Sequence, residues 1–312
     1  MTVYLDHAAS TPMRSVAIDA MRPFLDDTYA NPAGAHRFAR RARKAVDEAR
    51  DEIAQLIGCD PGEVIFTGGG TEADNATILG AVRMHGGVAV CSAAEHHAVL
   101  HCVEHTRGPV VGTTATGSID LEHLERVLRD QSVDIAVVSV MAVNNEVGTI
   151  TPLRKVASLV REHRPNAILH CDAVQAACWL DLREISPLVD SIALSAHKFG
   201  GPKGVGVMTL RAGKNVEPLI LGGGQERDRR SGTHNVPGIV AAAAALRATD
   251  AERASEIARL GVLSRQLEQG IVERVGEATV TVPAEHRVPG VIHLCFSGVE
   301  SEALLFLLDE AN

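Results

Sequence analysis

No apolar run in this chain approaches the length of a membrane span. The longest, residues 239–246, is mostly alanine, whereas a spanning helix needs roughly 20 apolar residues. The opening stretch Met1-Thr2-Val3-Tyr4-Leu5-Asp6-His7 has neither a basic n-region nor an apolar h-region, so no secretory signal is read there. CxxC pairs are absent. The six cysteines (Cys59, Cys91, Cys102, Cys171, Cys178 and Cys295) are scattered, which fits reduced, mostly buried thiols better than a disulfide framework. Positive charge is in deficit, with 30 Lys and Arg against 39 Asp and Glu and a net charge of −9. That argues against a general nucleic-acid surface. Repeats and low-complexity segments are missing too. These absences lead to the expectation of a soluble, cytoplasmic protein with no membrane and no direct nucleic-acid partner.

What is present is ordinary material for a sizeable core. The 312 residues are 46% hydrophobic and 22% charged, so one large domain plus a smaller one is expected. Strand and helix patterns alternate for most of the length. Residues 37–57 read as an amphipathic helix with Ala42, Val46, Ala49, Ile53 and Leu56 on one face. Residues 63–67 form a short strand running into glycines, and 72–85 a helix. Residues 88–92 and 135–143 are β-branched strands, 152–163 a helix, 167–171 and 191–195 further strands. The alternation predicts an α/β architecture, a mostly parallel sheet covered on both faces. After about Thr249 a charged helix at 251–275 precedes strand-like 279–282 and 291–296 and a helix at 301–310. That change of texture predicts a second, α+β unit.

The chemistry gathers at the ends of the predicted strands. Gly68-Gly69-Gly70-Thr71 joins a strand to a helix, which brings free backbone N–H groups and a hydroxyl to one point, a candidate phosphate cradle. By itself a glycine triplet reads equally as a flexible turn. Asp172 closes a strand where open α/β sheets place ligands, and a carboxylate buried there needs a cation. Gln175, three residues on, is a candidate donor to a ring oxygen. Lys198 follows the next apolar strand, flanked by Ser195 and His197 and followed by Phe199-Gly200-Gly201. Such a lysine, downstream of an Asp-x-x-Gln pair, suggests a Schiff-base lysine for pyridoxal 5′-phosphate (PLP), its amine made nucleophilic by partial burial and nearby cations. Glu95-His96-His97 follows another strand, and the His96 imidazole is placed to stack on a ring. His97, His101 and His105 recur every four residues, a spacing that also admits zinc. No third-element carboxylate or cysteine is aimed at them, so an exposed histidine stripe and no metal are expected. Asn144-Asn145-Glu146-Val147-Gly148 closes the long strand with polar groups.

Together these segments resemble the cysteine desulfurases of the class V aminotransferase family. The resemblance runs from Tyr4-Leu5-Asp6-His7-Ala8-Ala9 through Asn31-Pro32, His36-Arg37, Thr67–Asn75, Glu95-His96, Val143–Gly148, Asp172–Gln175 and Ser195–Lys198 to Gly222–Arg227 and Arg230–Thr233. It implies the type I PLP-dependent transferase fold. It implies that Lys198 holds the cofactor covalently, His96 stacks on its ring, Asp172 pairs with the ring nitrogen, and Gln175 and Asn145 reach the phenolic oxygen. Gly70, Thr71, Ser195 and His197 would hold the phosphate, Thr233 would arrive from the second subunit of a homodimer, and Asn31 would lie near the substrate carboxylate. The implied reaction converts L-cysteine to L-alanine, with sulfur delivered as a persulfide to an acceptor protein, an iron–sulfur scaffold or a thiolation enzyme.

The resemblance also carries departures. In the family the sulfur-accepting cysteine follows the helix matched by residues 301–310, and a carboxylate-binding arginine lies further on. Both positions fall past Asn312, so impaired sulfur transfer is expected of this chain, with a large domain at 13–249 and a truncated small domain from 1–12 plus 250–312. Cys295, within the apolar run 291–296, is expected to be buried core. Asp228 stands where glycine is common, and His7 and His234 where Asn and Glu are common. Two rival readings remain open: a thiol-independent PLP lyase resembling selenocysteine lyase, and a non-catalytic partner subunit or scaffold of a sulfur-relay system.

Overall fold

The computed structural model describes residues 3–311. Its centre is a seven-stranded sheet built from β1 (Val64–Thr67), β2 (Val88–Ser92), β3 (Val110–Val111), β4 (Ile135–Met141), β5 (Ile168–Asp172), β6 (Ser191–Ser195) and β7 (Gly206–Leu210) in the order β1-β7-β6-β5-β4-β2-β3. The run β6-β5-β4-β2-β3 is parallel, while β7 lies antiparallel to both β6 and β1. Two antiparallel steps restore the direction, so β1 also points the same way as β6. The carboxyl ends of β1, β2, β4, β5 and β6 therefore share one edge, which is where such sheets bind ligands.

Strands buried on both sides need apolar residues at nearly every position. Accordingly β4, β5, β6 and β7 are buried along their whole length. One face is covered by α1 (Ser15–Met21), α2 (Arg37–Ile57), α5 (Leu121–Arg129), α6 (Leu153–His163), the short α7 (Leu182–Ile185) and part of α8 (Val236–Arg274). The other is covered by α3 (Gly70–His85) and α4 (His97–His105). Helix α2 buries the predicted stripe of Ala42, Val46, Ala49 and Ile53 and stops at Gly58, whose φ of +81° is the left-handed cap that glycine adopts without strain. A two-stranded antiparallel sheet, β8 (Ala278–Val280) with β9 (Leu294–Phe296), and the exposed α9 (Ser301–Glu310) complete the described chain.

Two expectations change. The helix expected at 251–275 is the second part of a longer one, because α8 runs unbroken for 39 residues from Val236. Arg247-Ala248-Thr249-Asp250 contains no Gly or Pro to stop it. Its alanine-rich first half is buried and its charged second half is largely exposed. Cys295 is not core. It sits on the open side of β9, exposed between half-buried Leu294 and Phe296. A strand in a two-stranded sheet has one face packed at most, so its central residue turns outward.

Candidate active site

A cleft of about 1410 Å³ opens at the carboxyl edge of the sheet. It is lined by Gly70, Thr71, His96, Asn145, Asp172, Gln175, Ser195, His197 and Lys198, nine of the expected site residues gathered from five separate loops. Thr233 and Asn31 lie outside it. Both are exposed, and the Asn31 Oδ1 accepts from the Ala33 N–H at 2.9 Å in a local turn.

Each wall follows from local structure. Helix α3 begins at Gly70 with no side chain capping its first turn, so its leading N–H groups face the cleft. Only glycine fits there: a Cβ on Gly70 would stand 2.6 Å from Val174 Cγ2, and one on Gly206 would stand 2.5 Å from the Gly69 carbonyl carbon. Asp172 ends β5, buried, and its Oδ1 accepts from the Val174 N–H at 2.9 Å. Burial pushes its carboxyl up to about 7. No Lys or Arg forms an ion pair with it among the described residues, so the carboxylate lacks the cation that burial demands. Lys198 ends a short 3-10 turn after β6. Its Nζ donates to the carbonyls of Ala8 (2.6 Å) and Ala9 (3.0 Å), and burial lowers its basicity against the pull of Asp172 and Asp6. His197 is likewise lowered, by burial and then by the charges of Lys198 and Lys203. His96 caps α4, its Nδ1 accepting from the Ala98 N–H at 3.1 Å, which fixes the ring at the cleft mouth. Asn144 braces its loop by accepting from the N–H groups of Glu146 and Val147, each at 2.9 Å, which leaves Asn145 to line the cleft.

This donor set fits PLP. An uncapped helix start with hydroxyl and imidazole neighbours suits a dianionic phosphate, an unpaired buried carboxylate suits a protonated ring nitrogen, and a half-buried amine between them suits an aldehyde. The stripe of His97, His101 and His105 is exposed; the His97 and His101 rings stack at 4.9 Å. Among the described residues no group of three or more His, Cys, Asp and Glu side chains is arranged to hold a metal ion. No helix there is long and apolar enough to cross a membrane.

Some of the site was not visible in the sequence. The N-terminal arm forms one wall through Leu5, Asp6, His7, Ala8 and Ala9, and Gln175 Nε2 donates to the Ala8 carbonyl at 2.7 Å. Thr11 fastens that arm, since its Oγ1 donates to the His197 carbonyl at 2.8 Å and accepts from the Gly200 N–H at 2.8 Å. Backbone carbonyls leave no signature in a motif. Asp74, on the helix behind the cradle, also lines the cleft, and its place three residues after Thr71 was the available signal.

Residues 3–312 match the family model described as aminotransferase class-V. The chain is 38% identical to the cysteine desulfurase IscS of Dictyoglomus turgidum over 98% of its own length and 79% of that relative's. It is 38% identical to the putative cysteine desulfurase IscS 1 of Bacillus subtilis over 99% of its length and 83% of the relative's. Among solved structures, a NifS-like protein superposes with a TM-score of 0.93 at 33% identity, covering 100% of this chain and 86% of the other.

Proposed function

We propose, from the premise that the chain belongs to the class V aminotransferase family and to its cysteine desulfurase branch, that Lys198 and Asp172 are the two ends of its PLP-dependent chemistry. The family uses L-cysteine and passes sulfur to acceptor proteins. The observation that carries the residue assignment is the half-buried Lys198 amine sharing one cleft with an unpaired, buried Asp172 carboxyl and the open start of α3.

When bound, PLP supplies an electron sink for the bonds around the substrate α-carbon. The chain's own groups do the rest. Asp172 would hold the ring nitrogen as a cation, Gln175 and Asn145 the phenolic oxygen, and the Gly70 and Thr71 amides with Ser195 and His197 the phosphate. His96 would cover the ring face. The lowered basicity of Lys198 suits it both to hold the cofactor and to move the proton at the substrate α-carbon. Thr233, exposed and outside the cleft, is available to a second subunit, which supports the homodimer reading. Asn31 is assigned to the substrate carboxylate by resemblance alone. We keep a large unit at 13–249 and a small one from 1–12 plus 250–312, and a cytoplasmic location, which the unpaired cysteines support.

The test is reconstitution with PLP followed by L-cysteine. The expected result is a lysine-dependent visible absorption in the parent protein with little or no alanine formed, and loss of that absorption in Lys198→Ala. An unchanged absorption band in that variant refutes the assignment.

One observation favours a second reading, a lyase step that needs no protein thiol. Cys178 lines the cleft, but burial pushes its thiol up to about 11 and its Sγ–H points at the Lys198 carbonyl at 3.5 Å. A protonated thiol is a poor nucleophile. Turnover of cysteine sulfinate or selenocysteine without turnover of cysteine would select this reading.

A further inference from the structure

Behind the cleft, a row of polar side chains crosses the sheet face that α3 covers. Ser139 on β4, His170 on β5 and Ser191 on β6 are register partners on adjacent strands. From α3, Asp74 and Thr77 stand above the row at i, i+3 spacing, on one side of the helix. The His170 Nε2 lies 3.1 Å from Asp74 Oδ1 and its Nδ1 3.0 Å from Ser191 Oγ. Ser191 Oγ lies 3.0 Å from Thr77 Oγ1, and Thr77 Oγ1 lies 3.1 Å from the Ala73 carbonyl. Four of these side chains are wholly shielded and Asp74 is 1% exposed. Ser139 Oγ, at the end of the row, has no partner. The surrounding core is Ala, Ile, Val, Cys and Met, where an unsatisfied polar group costs roughly 1–3 kcal/mol.

The proton inventory of this row is constrained. A carbonyl only accepts, so Thr77 gives its one hydroxyl proton to Ala73. Ser191 must then donate to Thr77, and His170 Nδ1–H must donate to Ser191. With Nδ1 protonated, a neutral imidazole has a bare Nε2, and Asp74 must supply the last proton as a carboxylic acid. The reverse polarity, with Asp74 as carboxylate and Nε2–H donating, forfeits the Thr77 hydroxyl bond to Ala73, whose carbonyl keeps its helical N–H, and sets an unneutralised anion in the core beside Asp172. An imidazolium–carboxylate pair satisfies all four contacts but sets two full charges in the core. Burial opposes that, pushing Asp74 up to about 8 and His170 down to about 4. The other ionisable groups around Asp74 are Asp172 and Cys171 on β5, Glu95 in the turn before α4, and Cys102 on α4. All are acids that burial and one another's charges push up.

We infer that Asp74 and His170 form a net-neutral, proton-sharing pair that fastens the first turn of α3 to β5 without setting a second anion beside Asp172. Asp74 is thereby a positioning residue. It holds the α3 amides, one end of the cofactor pocket, at a fixed separation from Asp172, the other. The inference rests on the PLP reading of the cleft.

The experiment measures binding of PLP and of pyridoxal, which lacks the phosphate, to the cofactor-free full chain and its variants, by equilibrium dialysis. Thermal melting of each cofactor-free protein is recorded alongside. Asp74→Leu removes the donor and is expected to weaken PLP at least about tenfold while changing pyridoxal less than about threefold, because the phosphate end alone shifts with α3. Asp74→Asn keeps size, neutrality and an N–H for Nε2, and is expected to restore PLP affinity to within about threefold of the parent. Were Asp74 a carboxylate, the amide would also remove an anion beside Asp172 and shift the pH dependence of thermal melting between about pH 5 and 7, which a neutral Asp74 leaves unchanged. Should Asp74→Leu not fold, Thr77→Val breaks the same row by one hydroxyl and carries the same PLP-versus-pyridoxal split. The inference is overturned if Asn is as impaired as Leu, or if folded Asp74→Leu binds PLP like the parent. It is also overturned if both ligands weaken equally. A parent protein that takes up no PLP sinks the functional reading, and this inference with it, before any variant is compared.

Discussion

Replacing Arg50 with methionine tests how the glycine-rich segment 222–224 and its neighbours are held to the sheet. Arg50 lies in the middle of α2 with its side chain buried. Its NH1 and NH2 each donate to a different Glu226 oxygen at 2.7 Å, NH1 also donates to the Val64 carbonyl at 2.7 Å, and its Cζ sits 4.6 Å from the Phe66 ring centroid. Glu226 further accepts from the Phe66 N–H at 3.1 Å and meets His234 Nε2 at 2.5 Å. Breaking one partner of such a pair leaves a buried charge and costs about 3–5 kcal/mol. Arg50→Met preserves length and apolar volume, so the loss reports the charge and its hydrogen bonds. The pH dependence gives an independent magnitude. Burial pushes the Glu226 carboxyl up, but the hydrogen bonds from His234 and Arg50, the Arg50 charge and the Phe66 amide outweigh it and hold the group at about 2. A fall from the ordinary 4.5 to about 2 is worth roughly 3 kcal/mol. Because the folded value is depressed, that stabilisation is fully present above pH 4.5 and disappears as pH falls through about 2. Urea unfolding at neutral pH should show a lower midpoint with unchanged slope in Arg50→Met, and a shallower acid limb than the parent. Arg50→Met combined with Glu226→Leu should recover part of the loss. A cost below about 1 kcal/mol, or an unchanged acid limb, would refute the reasoning.

Asp172→Asn should weaken PLP binding and alter the pH response of the cofactor-free protein. Since the folded Asp172 value is raised to about 7, its stabilising share is complete below about 3.8 and is lost as pH rises through 7. Melting temperature followed from pH 4 to 8 should therefore fall less in the variant. Gly206→Ala drives a Cβ to 2.5 Å from the Gly69 carbonyl carbon. It should lower stability by about 1–3 kcal/mol and weaken PLP binding, because the clash displaces the backbone next to the cradle; normal binding would show that segment to be pliant. Cys295 is exposed, Cys91, Cys102 and Cys171 are buried, and burial pushes up the thiols of half-buried Cys59 and Cys178, so one thiol should label rapidly with a thiol reagent in the native protein, and Cys295→Ser should remove that phase.

The strands and the loops that end them were legible because each couples an apolar run to a polar terminus, and both signals are local. The nine cleft residues could be read together because a parallel sheet delivers the ends of its strands to one edge. What escaped was non-local. The Ala8 carbonyl reaches Lys198 across 190 positions of sequence, and a carbonyl is the same at every residue. His170 looked like an interior strand position until its ladder neighbours Ser139 and Ser191 were known. Strand β7 was missed because Gly204 and Gly206 mask its start, and its antiparallel placement could not follow from alternation. Cys295 was misjudged because an apolar run signals burial only when the strand has a packed partner on each face.

The unbroken α8 makes the stretch after Thr249 an arm rooted on the sheet. Thr249 stands where burial ends, and its Oγ1 donates to the Phe199 carbonyl at 2.9 Å, one residue past Lys198. From there to Arg274 the helix extends about 37 Å at 1.5 Å per residue. A rotation of about 5° at that pivot would carry the far end by roughly 3 Å. Glu252, Arg253, Glu256, Arg259 and Leu263 on this arm line the cleft, so the helix that forms this wall is tied at its root to the turn that carries Lys198.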